Sequence, residues 1–561
     1  MRVADYIAKV IKDLGSPVFM LAGGNMMHLM DGLRVQEVPY VCCHHENTAG
    51  LAAVGYAKAN NNQKLGVCFA TNGPGATNLM TAITEAYVDS TPVLFIVGQC
   101  RTDNSMQYSG VKGLRQVGIS EVDVVSMAIP ITKSSVRITE KSSVIDAIHR
   151  AIHEAMSGRP GPVLVEVPLN IQAAILEDED MHEPRKISST LPLLPRVIVS
   201  EIVQIMQEAK RPVLLLGKGA QHLLHMYKDI LLNMLELPIV TTCIAKDVIS
   251  YDNPLFVGHV GLKGDIAGNH AIQEADVILS LGQSFHTTTI GWDPKKFAPN
   301  AKIIQVDIDP TNLHQTFNLG LNTARLHMDI NDFAEAFLIT LAFKPIEARS
   351  WLADCIVLKE ACLIAKDTDA VTTDAIAYNV YEVMDELSDI LPSCAIVITD
   401  AGSAYYAGGQ GFKAKKGQTY ISSAGLGAMG HAIPMALGAA IACPYRPVYV
   451  IVGDGSFCTA EQVLPLLQNK NVTIIVLDNK GYLSIRNTQD AYFEGNYVGA
   501  DKETGVDTAS ILHKYMDDIP EVRKDHNSLL RAHCYFRDNE GLNVFVVRCL
   551  TKQAIIRTEN K

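Results

Sequence analysis

The sequence predicts an α/β protein with three doubly wound parallel-sheet domains. Segments that favour strands alternate with segments that favour helices along all 561 residues, which is typical of parallel sheets covered by helices. Several predicted strands end directly in glycine-rich or acidic clusters, as expected where the carboxyl ends of parallel strands form a binding edge. A chain of this length is too long for one hydrophobic core. We therefore expect domains over residues 1–176, 190–345 and 370–561.

The first domain is predicted to open with a helix. Apolar residues recur at helical spacing over residues 1–15, which indicates an amphipathic helix and not a signal peptide. Its clearest strands are predicted at 40–43, 66–70 and 162–167. A charged stretch at 177–186 then indicates a linker.

The other two domains repeat the alternation. Central strands are predicted at 212–216, 238–241, 277–281 and 302–306, and strands of the third domain at 448–452 and 472–477. Residues 424–443 are apolar but contain Gly425, Gly427, Gly430 and Pro434. We expect a buried helix after a glycine turn there, not a membrane span.

Composition restricts the classes of function. With 48% apolar and 19% charged residues the chain is globular, and a net charge of −12 without a basic cluster argues against nucleic acid as a partner. The twelve cysteines form no CxxC pair. Reduced thiols, and so a cytoplasmic protein without a membrane partner, are expected.

Two polar clusters in the third domain predict a site for magnesium and phosphate. Gly453-Asp454-Gly455-Ser456 follows one strand, and Asp478-Asn479-Lys480-Gly481 follows the next. A parallel βαβ unit places such clusters side by side. The carboxylate of Asp454, the amide oxygen of Asn479 and the carbonyl of Gly481 would form an oxygen shell that suits Mg²⁺. The glycines allow close approach to phosphates, and the helix that Ser456 opens favours an anion at its N-terminus.

A second set of polar residues follows strands of the first domain. Glu46 begins a helix after the 40–43 strand, and a turn over 71–78 follows the 66–70 strand. Apolar sequence on both sides of Glu46 predicts that its carboxyl is enclosed and needs a hydrogen-bond partner. The alternative is a surface carboxylate that the helix dipole favours.

Longer motifs, two of which contain the Glu46 and 71–78 segments, show a resemblance to a known family. HHENTAGLAAVGYAKA, ATNGPGATNL, SGRPGPVLVEVP and GLGAMGHAIPMALGAA occur in this order, and with the GDGS and asparagine motif they resemble acetolactate synthase and its relatives among thiamine diphosphate enzymes. The resemblance implies a pyrimidine-binding first domain and a diphosphate-binding third domain. It also implies that Glu46 is the catalytic, cofactor-activating glutamate, that the Gly427 carbonyl binds the cofactor's amino group and that Met429 enforces its bent shape. The expected cofactor-binding residues are Glu46, Gly75, Asn78, Gly402, Ser403, Gly427, Met429, Gly453, Asp454, Gly455, Ser456, Asn479, Gly481 and Tyr482, with Asp454, Asn479 and Gly481 as metal ligands.

The chain departs from the family at the expected substrate pocket. The tryptophan that selects the second oxo acid in acetolactate synthases aligns with Thr488, and the phenylalanine that packs on pyruvate aligns with Ile119. Losing both aromatic rings would open the pocket. Ser484 and Arg486 are further candidates for substrate contact. The alternatives are that Thr488 lies on an exposed loop and that Arg486 only holds its loop in place.

Two other cofactors, FAD and a nicotinamide dinucleotide, have motifs that can be compared with this sequence. Flavin-binding members of the family carry an Arg-Phe-Asp-Asp-Arg string where this chain has Gln283-Ser284-Phe285-His286-Thr287, so we expect FAD to be absent. Residues 425–430 match the GxGxxG pattern of nicotinamide dinucleotide sites. That pattern needs a strand directly before it, and residues 421–424 look like a poor buried strand.

The resemblance implies a thiamine diphosphate- and Mg²⁺-dependent carboligase. It would decarboxylate a 2-oxo acid such as pyruvate and transfer the two-carbon unit to an acceptor carbonyl, with a keto-sugar as one acceptor that suits an open pocket. The alternatives are acetolactate synthase proper, a simple decarboxylase or C–C lyase, and a regulatory subunit without chemistry. In the family Glu46 and Asp454 would come from different subunits, which implies a homodimer or homotetramer with sites at the interface.

Overall fold

The computed structural model describes residues 1–185, 196–221, 233–342, 345–362, 374–423, 425–501, 507–515, 520–524, 528–537 and 541–555. These residues form three six-stranded parallel sheets covered by helices. The predicted α/β class with three parallel sheets is therefore confirmed.

The first sheet has the strand order β2-β1-β3-β4-β6-β5. Its strands are β1 Val18–Met20, β2 Tyr40–Cys42, β3 Gly66–Ala70, β4 Val93–Gln99, β5 Ser134–Arg137 and β6 Val163–Pro168. Its helices are Val3–Leu14, Met27–Val35, Glu46–Ala59, Pro74–Asn78, Met80–Val88, Met106–Ser109, Val124–Ala128, Val144–Met156 and Leu169–Ala173. The first helix buries one face, as its apolar spacing predicts. Of the predicted linker, Lys186 lies outside the described residues.

The central sheet has the order β10-β9-β7-β11-β12-β13, and a separate pair joins β14 to β8. The strands are β7 Pro212–Leu216, β8 Leu235–Glu236, β9 Ile239–Thr242, β10 Phe256–Val260, β11 Val277–Leu281, β12 Lys302–Asp307, β13 Thr323–His327 and β14 Ile346–Glu347. The helices are Arg196–Glu208, Ile266–Glu274, Thr287–Ile290, Pro310–Asn318, Ile330–Leu341 and Arg349–Ala361. After β7 the chain adds β9 and β10 on one side of β7 and then β11 on its other side. Such a reversal of strand order opens a crevice between the ends of β7 and β11.

The third sheet has the order β16-β15-β17-β18-β20-β19. The strands are β15 Ile396–Thr399, β16 Thr419–Ser422, β17 Val448–Gly453, β18 Val472–Asp478, β19 Glu521–Val522 and β20 Leu542–Arg548. The helices are Val380–Ile390, Ser403–Gly411, Ala432–Ala442, Asp454–Cys458, Leu464–Leu467, Leu483–Phe493, Thr508–Leu512 and Ser528–Arg537.

One expectation about this sheet is wrong. Residues 421–424 were expected not to form a buried strand, yet Ile421 and Ser422 belong to the buried strand β16, which pairs with β15. The hydroxyl of Ser422 accepts a hydrogen bond from the Thr399 hydroxyl at 2.9 Å. A polar residue is therefore tolerated in the strand because its hydroxyl has a partner.

The first and third sheets share a hydrophobic core through two helices, Glu46–Ala59 and Ala432–Ala442. A Cβ atom on Gly438 would lie 1.9 Å from the carbonyl oxygen of Ala52, and one on Gly55 would lie 2.1 Å from that of Met435. Only glycine allows backbones to approach this closely. The buried Ala432–Ala442 helix confirms the helix expected within 424–443. Over the described ranges, the structure contains no helix with the length and apolarity needed to span a membrane.

Candidate cofactor and metal site

The acidic cluster of the third sheet is held together by its own backbone. Strands β17 and β18 pair up to Gly453 and Leu477, so the polar residues that follow them lie side by side. The two carboxylate oxygens of Asp454 accept hydrogen bonds from the N–H groups of Gly455 at 2.7 Å and Gly481 at 2.9 Å. Asp454 and Asn479 are both buried. The structure therefore brings the three predicted metal ligands, Asp454, Asn479 and Gly481, into one cluster.

The electrostatics of this cluster suit a cation. Burial raises the pKa of Asp454 to about 7, and the nearby Asp478 carboxylate adds to the shift against the two backbone hydrogen bonds. A divalent ion would favour the charged form of Asp454. In the part of the chain that the structure describes, no group of three or more His, Cys, Asp or Glu side chains is arranged to hold a metal. An ion at Asp454 would thus need further oxygens from a ligand such as a phosphate, as is usual for Mg²⁺.

Open space for phosphates lies beside the cluster. A Cβ on Gly453 would meet no atom within 4 Å, and one on Gly402, where φ is +67°, would come near only the Ser484 hydroxyl. Ser403 and Ser456 are buried in the first turns of the helices that follow. Backbone N–H groups at helix starts favour anions, so these residues fit a diphosphate.

Tyr482 closes one side of the same space. Its ring packs against Gly455 so tightly that a Cβ on Gly455 would lie 2.0 Å from the ring. Gly455 therefore has to be glycine for Tyr482 to occupy this position.

Glu46 and its neighbours form a second cluster on the first sheet. The buried Glu46 carboxylate accepts a hydrogen bond from the Asn78 side-chain amide at 2.9 Å. A Cβ on Gly75 would lie 3.3 Å from the other carboxylate oxygen of Glu46. The predicted trio Glu46, Gly75 and Asn78 thus lies together, and Glu46 is enclosed, not a surface carboxylate.

The predicted cofactor contacts Gly427 and Met429 and the predicted substrate contact Ile119 face open space in the single chain. Gly427 has a φ of +68° and a Cβ there would meet nothing within 4 Å. The side chain of Met429 is 44% exposed and that of Ile119 is 86% exposed. Such exposed apolar side chains are available to a ligand or to a second copy of the chain.

Comparison with known proteins identifies the family. Three thiamine pyrophosphate enzyme models match in order: the N-terminal TPP binding domain at residues 1–127, the central domain at 199–337 and the C-terminal TPP binding domain at 400–535. A probable acetolactate synthase large subunit from Methanocaldococcus jannaschii is 31% identical over 88% of this chain and 83% of its own. The chain belongs to the thiamine pyrophosphate enzyme family.

Two further relatives support a position near the acetolactate synthases. Acetolactate synthase isozyme 2 large subunit from Escherichia coli K12 is 31% identical over 89% of this chain and 86% of its own. Acetolactate synthase large subunit from Corynebacterium glutamicum is 32% identical over 89% of this chain and 78% of its own. The protein is a thiamine diphosphate-dependent enzyme of the acetolactate synthase-like type. The family match confirms the resemblance and disfavours the nicotinamide alternative.

Among the predicted substrate residues, Arg486 is the one whose contacts are most informative. Its buried guanidinium donates to the backbone carbonyls of Lys480, Asn479, Ala500 and Thr551 at 2.8–3.2 Å. These contacts favour the loop-holding alternative.

The other substrate candidates lie on accessible surfaces. Thr488 is exposed on the Leu483–Phe493 helix, where its hydroxyl donates to the Ser484 carbonyl at 3.2 Å. Ser484 lies beside Gly402 at the edge of the phosphate space. Their substrate roles, and that of Ile119, stay predictions.

Asp400 is a site residue that sequence reasoning missed. Its carboxylate accepts hydrogen bonds from the N–H groups of Gly430 and Ala432, both at 2.9 Å. It therefore fixes the end of the segment that carries Met429. Asp400 directly follows strand β15, so the rule that found Asp454 at the end of β17 would also have found it.

A cavity of about 560 Å³ lies at the region where flavin-binding relatives were expected to differ. Gly282, Gln283 and His286 line it after β11, and Asp307 lines it at the end of β12. The Gln283 amide nitrogen is buried without a hydrogen-bond partner. Arg159, a cation at its wall, is bonded to Asp309 and Asn312. The space is present, while Arg159, one of the charged residues in its wall, is already paired.

Proposed function

We propose that this protein is a Mg²⁺- and thiamine diphosphate-dependent carboligase. It decarboxylates a 2-oxo acid, with pyruvate as the first candidate, and transfers the two-carbon unit to an acceptor carbonyl. The observation that carries the proposal is the Asp454–Asn479–Gly481 cluster together with the enclosed Glu46 in a chain of this family. When bound, the cofactor supplies the electron sink that decarboxylation requires.

The protein's own residues would have separate tasks. Asp454, Asn479 and the Gly481 carbonyl would hold Mg²⁺ against the diphosphate. Glu46, oriented by Asn78, would exchange a proton with the pyrimidine ring of the cofactor. The phosphate space would be formed by Gly402, Ser403, Gly453, Gly455, Ser456 and Tyr482, and the bent cofactor would contact Gly75, Gly427 and Met429.

Glu46→Gln tests the proton role with little change of volume. Loss of general acid–base catalysis should lower CO₂ release from pyruvate about 10²–10⁴-fold, while size-exclusion chromatography shows unchanged assembly. Turnover at the wild-type rate would contradict the role of Glu46.

We further propose that each site forms between two copies of the chain, in a homodimer or homotetramer. The hydrogen bonds described for Glu46 stay within the first domain and those of Asp454 within the third, and Gly427 and Met429 face outward. This arrangement supports completion of the site by a partner copy.

Mixing two inactive variants tests the shared site. In a dimer assembled from Glu46→Gln and Asp454→Asn chains, one site would carry both changes and the other neither. Random co-assembly should therefore restore about one quarter of wild-type activity. If each site is built from a single chain, the mixture stays inactive.

The acceptor is best addressed by product analysis. Threonine at 488 and isoleucine at 119, in place of the family's aromatic residues, support a larger or hydroxylated acceptor such as a keto-sugar. The names of the relatives support acetolactate formation from two pyruvate molecules as a second candidate. Labelled pyruvate, with and without sugar acceptors, would yield a ligated sugar or acetolactate respectively, whereas acetaldehyde alone would indicate a simple decarboxylase.

We also propose that catalysis does not require FAD, because the family's charged flavin string is replaced by Gln283–Thr287. The visible spectrum of the purified enzyme, with mass spectrometry of released small molecules, tests this. Stoichiometric flavin would contradict it. The unpaired thiols among the described cysteines support a reducing, cytoplasmic location.

A further inference from the structure

A buried polar cluster lies under the segment that carries Gly427 and Met429. We call residues 425–430 the glycine loop. The Ser423 hydroxyl accepts a hydrogen bond from the N–H of Gly427 at 2.7 Å and donates one to the Glu85 carboxylate at 2.6 Å. Glu85 is fully buried and lies on the Met80–Val88 helix of the first domain. A first-domain acid thus supports the glycine loop through one serine of the third domain.

A second acid makes a direct contact with the loop. The Asp89 carboxylate accepts a hydrogen bond from the N–H of Gly425 at 3.3 Å. The ammonium group of Lys58 donates to Asp89 at 2.6 Å and to Glu85 at 3.1 Å. Lys58 therefore ties the two acids into one unit.

The glycine loop is consequently fixed at both ends. At one end, Asp89 binds the N–H of Gly425, and Glu85 holds the N–H of Gly427 through Ser423. At the other end, Asp400 binds the N–H groups of Gly430 and Ala432. The predicted cofactor contacts, the Gly427 carbonyl and the Met429 side chain, lie between these anchors. They face open space, whereas the anchoring acids lie beneath them.

Pairing within the cluster offsets the cost of burying its charges. Burial opposes ionisation of Glu85, but Lys58 and His431 outweigh it and lower the pKa of Glu85 to about 2. Burial and the Glu85 charge raise the pKa of Asp89 to about 6 against the attraction of Lys58. A buried lysine paired with acids is costly to break by removing one partner, so the geometry of the cluster is tightly specified.

We propose that Glu85 and Asp89 are positioning residues of the cofactor site, which set the conformation in which the glycine loop presents Gly427 and Met429. This inference rests on the proposed function. Neither acid needs to touch the cofactor, because Ser423 and the Gly425 N–H transmit their effect. Lys58 lies on the helix that Glu46 begins, so a single helix carries the activating acid and supports the loop.

The test compares Glu85→Gln and Ser423→Ala with the control Thr84→Ala. Thr84 lies on the same helix as Glu85 and its hydroxyl donates only to the Met80 carbonyl in the structure's hydrogen bonds. The readouts are the dissociation constant of thiamine diphosphate at saturating Mg²⁺, the circular dichroism of the bound cofactor, and kcat at saturating cofactor.

Ser423→Ala removes a hydrogen bond to a charged group, and Glu85→Gln removes the charge that strengthens this bond. Both variants should therefore bind thiamine diphosphate about tenfold or more weakly. The dichroism of the bound cofactor should change, and Thr84→Ala should bind like the wild type. Ser423→Ala decides the question if Glu85→Gln does not fold, since it keeps Lys58 and both acids.

Two results separate the possible failures. If the folded variants bind the cofactor with wild-type affinity, dichroism and kcat, Glu85 has only a structural role and this inference is overturned while the proposed function stands. If the wild-type protein itself binds no thiamine diphosphate, the proposed function fails and the inference fails with it.

Discussion

Arg486→Met distinguishes the two roles considered for Arg486. Methionine fills a similar apolar volume but donates no hydrogen bonds. The four backbone carbonyls that now accept from the guanidinium, at 2.8–3.2 Å, would lose that donor. Two of them belong to Asn479 and Lys480, inside the predicted metal loop. The change should therefore loosen this loop before it affects anything else.

The size of the effect follows from these contacts. A buried acceptor without a partner costs about 1 kcal/mol at the low end. The Ala500 carbonyl keeps the N–H of Tyr482 at 3.1 Å, so the other three carbonyls give a loss of about 3 kcal/mol. For a domain of this size such a loss lowers Tm by about 10 °C. Because the loop supplies Asn479 and Gly481, the Mg²⁺ concentration for half-maximal activity should rise at least tenfold.

Scanning calorimetry and a Mg²⁺ titration of activity measure these two quantities. The KM for the 2-oxo acid, measured at saturating Mg²⁺, should change little. Thr488→Ala, on the exposed face of the same helix, is the matched control for stability. A variant with wild-type Tm and Mg²⁺ dependence but a greatly raised KM would refute the loop-holding role and support direct substrate contact.

Two other predictions follow from the fold and the site. Gly438→Ala should destabilise the protein by about 1–3 kcal/mol or more, because its methyl group would lie 1.9 Å from the Ala52 oxygen. The control is Gly411→Ala, where the nearest atom would be 3.4 Å from the new methyl group. Equal thermal denaturation of the two variants would contradict the steric argument. Removal of divalent ions with a chelator should abolish thiamine diphosphate binding, as measured by calorimetry, and added Mg²⁺ should restore it. The reason is that the Asp454 carboxylate can bridge to a diphosphate only through a cation. Full binding without metal would refute this prediction.

The sequence predicts structure best where a short local pattern is enough to define an element. Strands β3, β7 and β11 have the predicted bounds, because continuous apolar segments flanked by glycine or proline admit few alternatives. The Asp454 and Asn479 clusters could be placed together because each follows a strand of one βαβ unit. What these clusters bind stays a prediction.

The features that could not be predicted depend on contacts between distant parts of the chain, which no local sequence pattern shows. Glu85 lies on an ordinary helix and Asp89 directly follows that helix. Their partners Ser423 and Gly425 are more than 330 positions away. Strand β16 was missed because its serine becomes acceptable only through the Thr399 hydroxyl of the neighbouring strand. In both cases tertiary packing supplies the partner that makes a polar residue tolerable inside the protein.

The glycine contacts between the Glu46–Ala59 and Ala432–Ala442 helices also limit how the enzyme can move. Backbone lies against backbone at these glycines, and the first and third sheets share one apolar interior. A relative rotation of the two sheets would therefore have to break this packing and expose apolar surface to water.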